Sequence, residues 1–285
     1  MTKFIALLFV PFLLSLAIKK LNTGGQSIHD LVKTGLISCV PQTNGGYNES
    51  SITLKLSNMG KGQRVLIPLG TRFKSAVDEE QDLIIPKDLI VDLPRNGKKE
   101  VRLDAYCVQQ SNLSPDSGQT FTLSLEQDEK LLKVLNFMKG NTYDSEIIQD
   151  AIWAVTDGES VAAINMQNDK EKSLREFICE VTGQENVWYE LDRNYEETTS
   201  REIIPVTKEV FGNIAYEVRQ TGKVVLQVAK VDGHVIRELG GGMPISRTGS
   251  YEFHFSMKVQ GWEEGTYFVQ LKIGESIFHK VAFEV

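Results

Sequence analysis

Cysteine and histidine are scarce in this chain of 285 residues, which has three of the first and four of the second. Cys39, Cys107 and Cys179 form no CxxC pair, and His29, His234, His254 and His279 are scattered. That spacing excludes a zinc site or a histidine-based triad, and no metal or other cofactor is expected. Basic clusters longer than a pair are also missing, and the net charge is −7 with a pI of about 5.3. Nucleic acid is thereby excluded as the main partner, because phosphate binding needs a concentrated basic surface. Beyond the first residues no apolar run reaches the roughly 20 residues a membrane-spanning helix requires. Internal repeats and low-complexity tracts are absent as well.

What is present begins with a leader. MTKFIALLFVPFLLSLA has one lysine, an apolar run from Phe4 to Leu14, and Ser15-Leu16-Ala17 as a small-x-small cleavage site. Residues 1–17 are therefore read as a signal peptide, and the mature chain is expected to be exported, extracellular or on the cell surface, without a membrane span. The remaining length suits two globular units. Three cysteines in an exported chain leave at least one unpaired, and a Cys39–Cys107 disulfide is one possible pairing. Cys179 lies in an amphipathic stretch and reads as a small buried hydrophobe.

From Ser51 the sequence alternates. ITLKLSN places Ile52, Leu54 and Leu56 on one face, and similar short runs follow at intervals set by Gly, Pro and Asn. The pattern is that of an antiparallel β-sandwich. After Gly118 the period lengthens: Leu131, Leu132, Leu135 and Met138, then Ile147, Ile148, Ala151, Ile152 and Val155, then Leu174, Phe177, Ile178 and Val181. Three helices with short connections predict a cap on the sandwich over a unit spanning 24–189. Residues 190–205 are polar without apolar period and read as a linker. From 206 to 285 strands return, with Tyr251, Phe253 and Phe255 alternating with Glu252, His254 and Ser256 and further aromatics at Tyr267 and Phe268, and Gly240-Gly241-Gly242 reads as a turn. An immunoglobulin-like C-terminal sandwich is expected. The fold class is thus mainly β with a helical cap, α+β overall.

One constellation hints at chemistry. Tyr106-Cys107 follows an apolar strand, and Gln149-Asp150-Ala151-Ile152-Trp153 opens the second helix. A cysteine sulfur held against a glutamine carboxamide can displace ammonia and form an internal thioester, with proximity supplying most of the driving force. The two short motifs resemble the signature of the thioester-domain family of bacterial surface adhesins, an aromatic-Cys pair followed by Thr-Gln-x-Ala-apolar-Trp. Ile148 stands where that signature has Thr. The resemblance implies Cys107 and Gln149 as bond partners, with Tyr106 and Trp153 as supporting core, and a partner protein or surface polymer that presents amines. A second reading keeps the fold without the bond: Cys107 is then a free or disulfide-bonded core thiol, and Gln149 hydrogen-bonds locally.

The last unit has its own resemblance. Asp232-Gly233, Gly265-Thr266-Tyr267 and Lys280 are similar to features of the C-terminal sandwich of type IX secretion cargo and of the flagellar-hook cap protein. Together these readings predict a secreted or cell-surface binding and adhesion protein without turnover catalysis. A structural or matrix protein whose second unit serves as spacer or sorting module is the alternative. A glycan-acting enzyme ranks third, because no paired carboxylates stand out. Asp157 and Glu159 read as a solvated helix end.

Overall fold

A computed structural model describes residues 24–46 and 51–285, so the leader predicted at 1–17 lies outside the described residues. The first unit contains β1 (Gln26–Ser27), α1 (Ile28–Lys33), β2 (Ile37–Thr43), β3 (Ile52–Asn58), β4 (Gln63–Ile67), β5 (Arg72–Lys74) and β6 (Leu83–Ile84). It continues with β7 (Leu89–Leu93), β8 (Lys98–Leu103), β9 (Tyr106–Cys107) and β10 (Thr122–Leu123). Three small sheets result, in the orders β2-β3-β8, β1-β4-β7 and β10-β5-β6-β9. All pairs are antiparallel except β1 with β4. The alternation in β3 does what its period demands: Ile52, Leu54 and Leu56 point into the core with Val65, Ile67, Val91 and Leu93 of the facing sheet.

The helical cap forms as α2 (Glu129–Met138), α3 (Ser145–Thr156) and α4 (Asp169–Thr182), with a 3-10 turn at Val161–Ala163. Asp128 caps α2 by accepting from the amides of Lys130 and Leu131, and Asn168 caps α4 through the amide of Glu171. Gly183 ends α4 at φ +83°, a left-handed conformation that glycine adopts without a Cβ clash. Leu131, Val134, Leu135, Ile152, Leu174 and Ile178 bury one face of each helix against the others. Below them lie Ile84 and Tyr106 of the sheet and Val108, just past the end of β9. The cap therefore rests on the edge that carries β9.

The C-terminal unit has seven antiparallel strands: β11 (Tyr189–Glu197), β12 (Ile203–Val218), β13 (Gly222–Lys230), β14 (Val235–Ile245), β15 (Gly249–Lys258), β16 (Thr266–Ile273) and β17 (Ser276–Glu284). They divide into sheets of three and four, β11-β12-β15 and β14-β13-β16-β17, the immunoglobulin-like sandwich the sequence predicts. Phe255 and Met257 face inward on β15 while His254, Ser256 and Lys258 face water.

Two expectations are corrected here. Residues 190–205 are not a linker: β11 and the start of β12 form a hairpin paired from Tyr189 with Gly212 out to Glu197 with Ile203. Its apolar residues are few and divided between two cores, so no single face repeats often enough to show a period. The C-terminal sandwich accordingly begins at residue 189. Gly240-Gly241-Gly242 is not a turn either, but part of edge strand β14. Gly240 and Gly242 have positive φ, and the register with β13 slips there, so the glycines form a bulge that a side-chain-bearing residue would resist.

Candidate functional site

The two residues singled out by motif meet. Cys107 ends the two-residue strand β9, which pairs with β6 on one side only and is the edge of its sheet. Gln149 lies one turn into α3, on the other side of that edge. The backbone N–H of Cys107 donates to Oε1 of Gln149 at 3.1 Å, and Nε2 of Gln149 donates to the Cys107 carbonyl at 2.9 Å. A side-chain amide thus occupies the place a neighbouring strand's peptide would take, satisfying both polar groups of a buried edge. Cys107 is 0 % exposed and Gln149 1 %.

Strand periodicity places the flanking residues. Tyr106 points into the helical cap, whereas Cys107, its neighbour, points into the sandwich core with Trp153. Trp153 is one helical turn beyond Gln149 and therefore on the same face of α3, where it is fully buried. Burial pushes the Cys107 thiol well above its ordinary pKa, and the nearby Glu197 carboxylate adds to the shift. The sulfur is a protonated thiol at neutral pH, unlike the activated thiolate of a cysteine hydrolase.

The three cysteines are free thiols. The Cys39–Cys107 disulfide is therefore not formed: Cys39 sits on β2, paired with β3, while Cys107 sits in a different sheet. Burial raises the Cys39 thiol to about 12. Cys179 is half-buried, less than its helical pattern suggests, and packs on the edge of the cap. Among the described residues no group of His, Cys, Asp and Glu is arranged to hold a metal ion, and no helix is long and apolar enough to cross a membrane. A cleft of about 840 Å³ lined by Glu159, Trp188, Arg193 and Phe283 lies elsewhere; neither Cys107 nor Gln149 contributes to its walls.

Sequence patterning did not single out Asp150 and Tyr195 beside the pair, nor Arg201 farther along the β11–β12 hairpin and its partner Glu80. Asp150, next to Gln149, is buried, and its carboxylate accepts a hydrogen bond from the Tyr195 hydroxyl at 2.6 Å. Burial raises Asp150 to about 7; the Tyr195 hydroxyl and Arg193 oppose the rise, and Glu146 and Glu159 add to it. The Tyr195 ring meets Trp153 edge-on with centroids 4.7 Å apart. Glu80, also buried, accepts from Arg201 at 2.8 Å, Gln119 at 2.9 Å and Ser75 at 3.2 Å. Burial alone would raise the Glu80 carboxyl, but these donors and the charge of Arg201 outweigh it and leave it below the ordinary value. The one available signal was two polar residues, Gln149 and Asp150, inside an otherwise apolar helix. Glu159, read as solvated, is ion-paired with Arg193 at 3.0 Å.

Compared with protein-family models and with curated proteins, the chain matches none.

Proposed function

We propose that this is an exported surface or secreted binding protein that attaches covalently to its partner through a Cys107–Gln149 thioester. The observation that carries the reading is the paired hydrogen bonding of the Gln149 amide to the Cys107 backbone. It fixes the carboxamide against the residue that bears the sulfur, and the Cys107 N–H draws electron density from the carbonyl as an oxyanion-stabilising donor does. In bond formation the Cys107 sulfur adds to the Gln149 carbonyl carbon, the C–N bond breaks, and the thiol proton leaves with the nitrogen as ammonia. In attachment an amine takes the acyl group, the C–S bond breaks, and the sulfur recovers a proton. The partner is a protein or surface polymer that presents amines. A single attachment consumes the site, so the protein is a reagent and not a turnover enzyme.

Intact-mass measurement of the purified protein tests this. The expected mass is one ammonia below that calculated for the mature chain, with methylamine adding its own mass and Cys107→Ala abolishing both effects. A full mass with no methylamine adduct would sink the proposal. The same hydrogen bonds favour one other reading, in which Gln149 only completes the β9 edge and the protein is a structural or matrix component; the full mass is the result that reading requires.

A further inference from the structure

The β11–β12 hairpin belongs to both units. Its inner half is built into the second sandwich, where Tyr189, Leu191, Val210 and Ile214 are buried together. Its outer half leaves that core: Ile203 is buried with Cys107 and Trp153, and Tyr195 packs against the same group. The change occurs at the bulge where the register shifts between Asp192 and Arg193. Glu197, near the tip, is close enough for its charge to act on the Cys107 thiol.

This placement conflicts with the chemistry proposed above unless something moves. Cys107 and Gln149 are closed to solvent, so a lysine carried by another macromolecule has no approach to the carbonyl between them. Besides the burial of Ile203 and the Tyr195–Trp153 ring contact, the contacts that hold the outer half down are polar and can be exchanged for water. Tyr195 donates to Asp150, Arg201 pairs with Glu80 and with Asp116 at 3.0 Å, and Gln110 donates to the Ile203 carbonyl at 2.9 Å. The inner half is held instead by apolar burial and by the ladder of β12 with β15, which begins at Glu209 and Lys258. Arg201 also has φ +68°, a left-handed backbone sparsely populated by residues with a side chain, which its contacts must maintain.

We propose that the outer half of this hairpin is a lid over Cys107, latched by Tyr195 on Asp150 and Arg201 on Glu80, which must lift before a macromolecular amine can reach the acyl group. The purpose of the lid rests on the thioester reading, but its existence does not. Lifting takes Arg201 away from Glu80 and leaves that carboxylate without its cation. The second sandwich is then a gate for the first, and a partner that competes for the hairpin would control attachment.

The test uses the full chain with Cys39→Ser and Cys179→Ser, treated with methylamine so that Cys107 is a thiol whether or not a thioester had formed. Labelling of Cys107 by a bulky maleimide is timed in native buffer for this parent, for Tyr195→Phe and Arg201→Ala, and for Lys230→Ala. The last removes an exposed ion pair with Glu263 in the second sandwich and serves as control. Tyr195→Phe is expected to label roughly fivefold to tenfold faster, the change that follows from losing one buried hydrogen bond, and Arg201→Ala roughly thirtyfold faster, because an ion pair to a buried carboxylate is lost. The control should label like the parent. Latch variants that label no faster than the parent, or only as much faster as the control, overturn the lid. Because Arg201→Ala risks wider unfolding, amide hydrogen exchange of the parent supplies a second reading: residues 194–203 should exchange faster than residues 207–214, and equal protection counts against the lid. The mass before methylamine treatment reports on the thioester separately, so either idea fails without taking the other with it.

Discussion

Gln149 meets the backbone of Cys107 from a helix in the way one strand meets another, with one donor and one acceptor exchanged inside the protein. Deleting that amide leaves a buried N–H and a buried carbonyl without partners. In the thiol form, where the carboxamide is intact, Gln149→Ala is therefore expected to cost about 2–4 kcal/mol in urea unfolding. A loss below about 1 kcal/mol, the ordinary value for an exposed hydrogen bond, would show that the amide is not a structural part of the edge.

Asp150 should make stability depend on pH in a direction opposite to most carboxylates. Its folded pKa of about 7 lies above the unfolded value near 3.9, so its contribution is complete below about pH 4 and is lost as the pH rises through about 7. Asp150→Asn removes this group from titration. The urea midpoint of the parent should fall across this window relative to that of the variant; parallel curves would refute the assignment.

Glu80 works the other way. Its folded pKa is depressed, so the stability it supplies is present above the unfolded value near 4.3 and disappears as acid protonates it in the folded protein. Arg201→Ala leaves the buried carboxylate with only its neutral donors. Because the arginine is partly exposed, the expected loss is about 2 kcal/mol at neutral pH, below the usual value for breaking a fully buried pair. The loss should shrink on acidification, and a pH-independent difference would count against the pair.

Trp153 joins the motif to the core. It is fully buried against Tyr195, and Trp153→Ala is expected to cost about 3–5 kcal/mol. Trp153→Phe retains much of the packing and should cost less. Thermal melts of the two variants check the order, and similar losses for both would mean that the indole's size is not what the core needs.

How much of this was legible in the sequence depended on where each residue's period was visible. The alternation of Ile52, Leu54 and Leu56 and the helical spacing of Leu131, Leu135 and Met138 repeat against one core each, and both elements lie where the pattern puts them. The Cys107–Gln149 contact was legible only as a juxtaposition of motifs, because no periodicity links a strand end to a helix start. The hairpin escaped notice because Leu191 faces one core and Tyr195 another, with polar residues between them. Asp150 and Glu80 escaped because a buried carboxylate looks like a solvated one until its partner, Tyr195 or Arg201, is located in space.

The shared hairpin also governs how the chain can be divided. A fragment ending before Tyr189 would lack Tyr195, Arg201 and Ile203 from its own interior, while one starting at residue 206 would lack Tyr189 and Leu191. Each piece would therefore expose a core surface that the intact chain covers, and neither is expected to fold as it does within the whole.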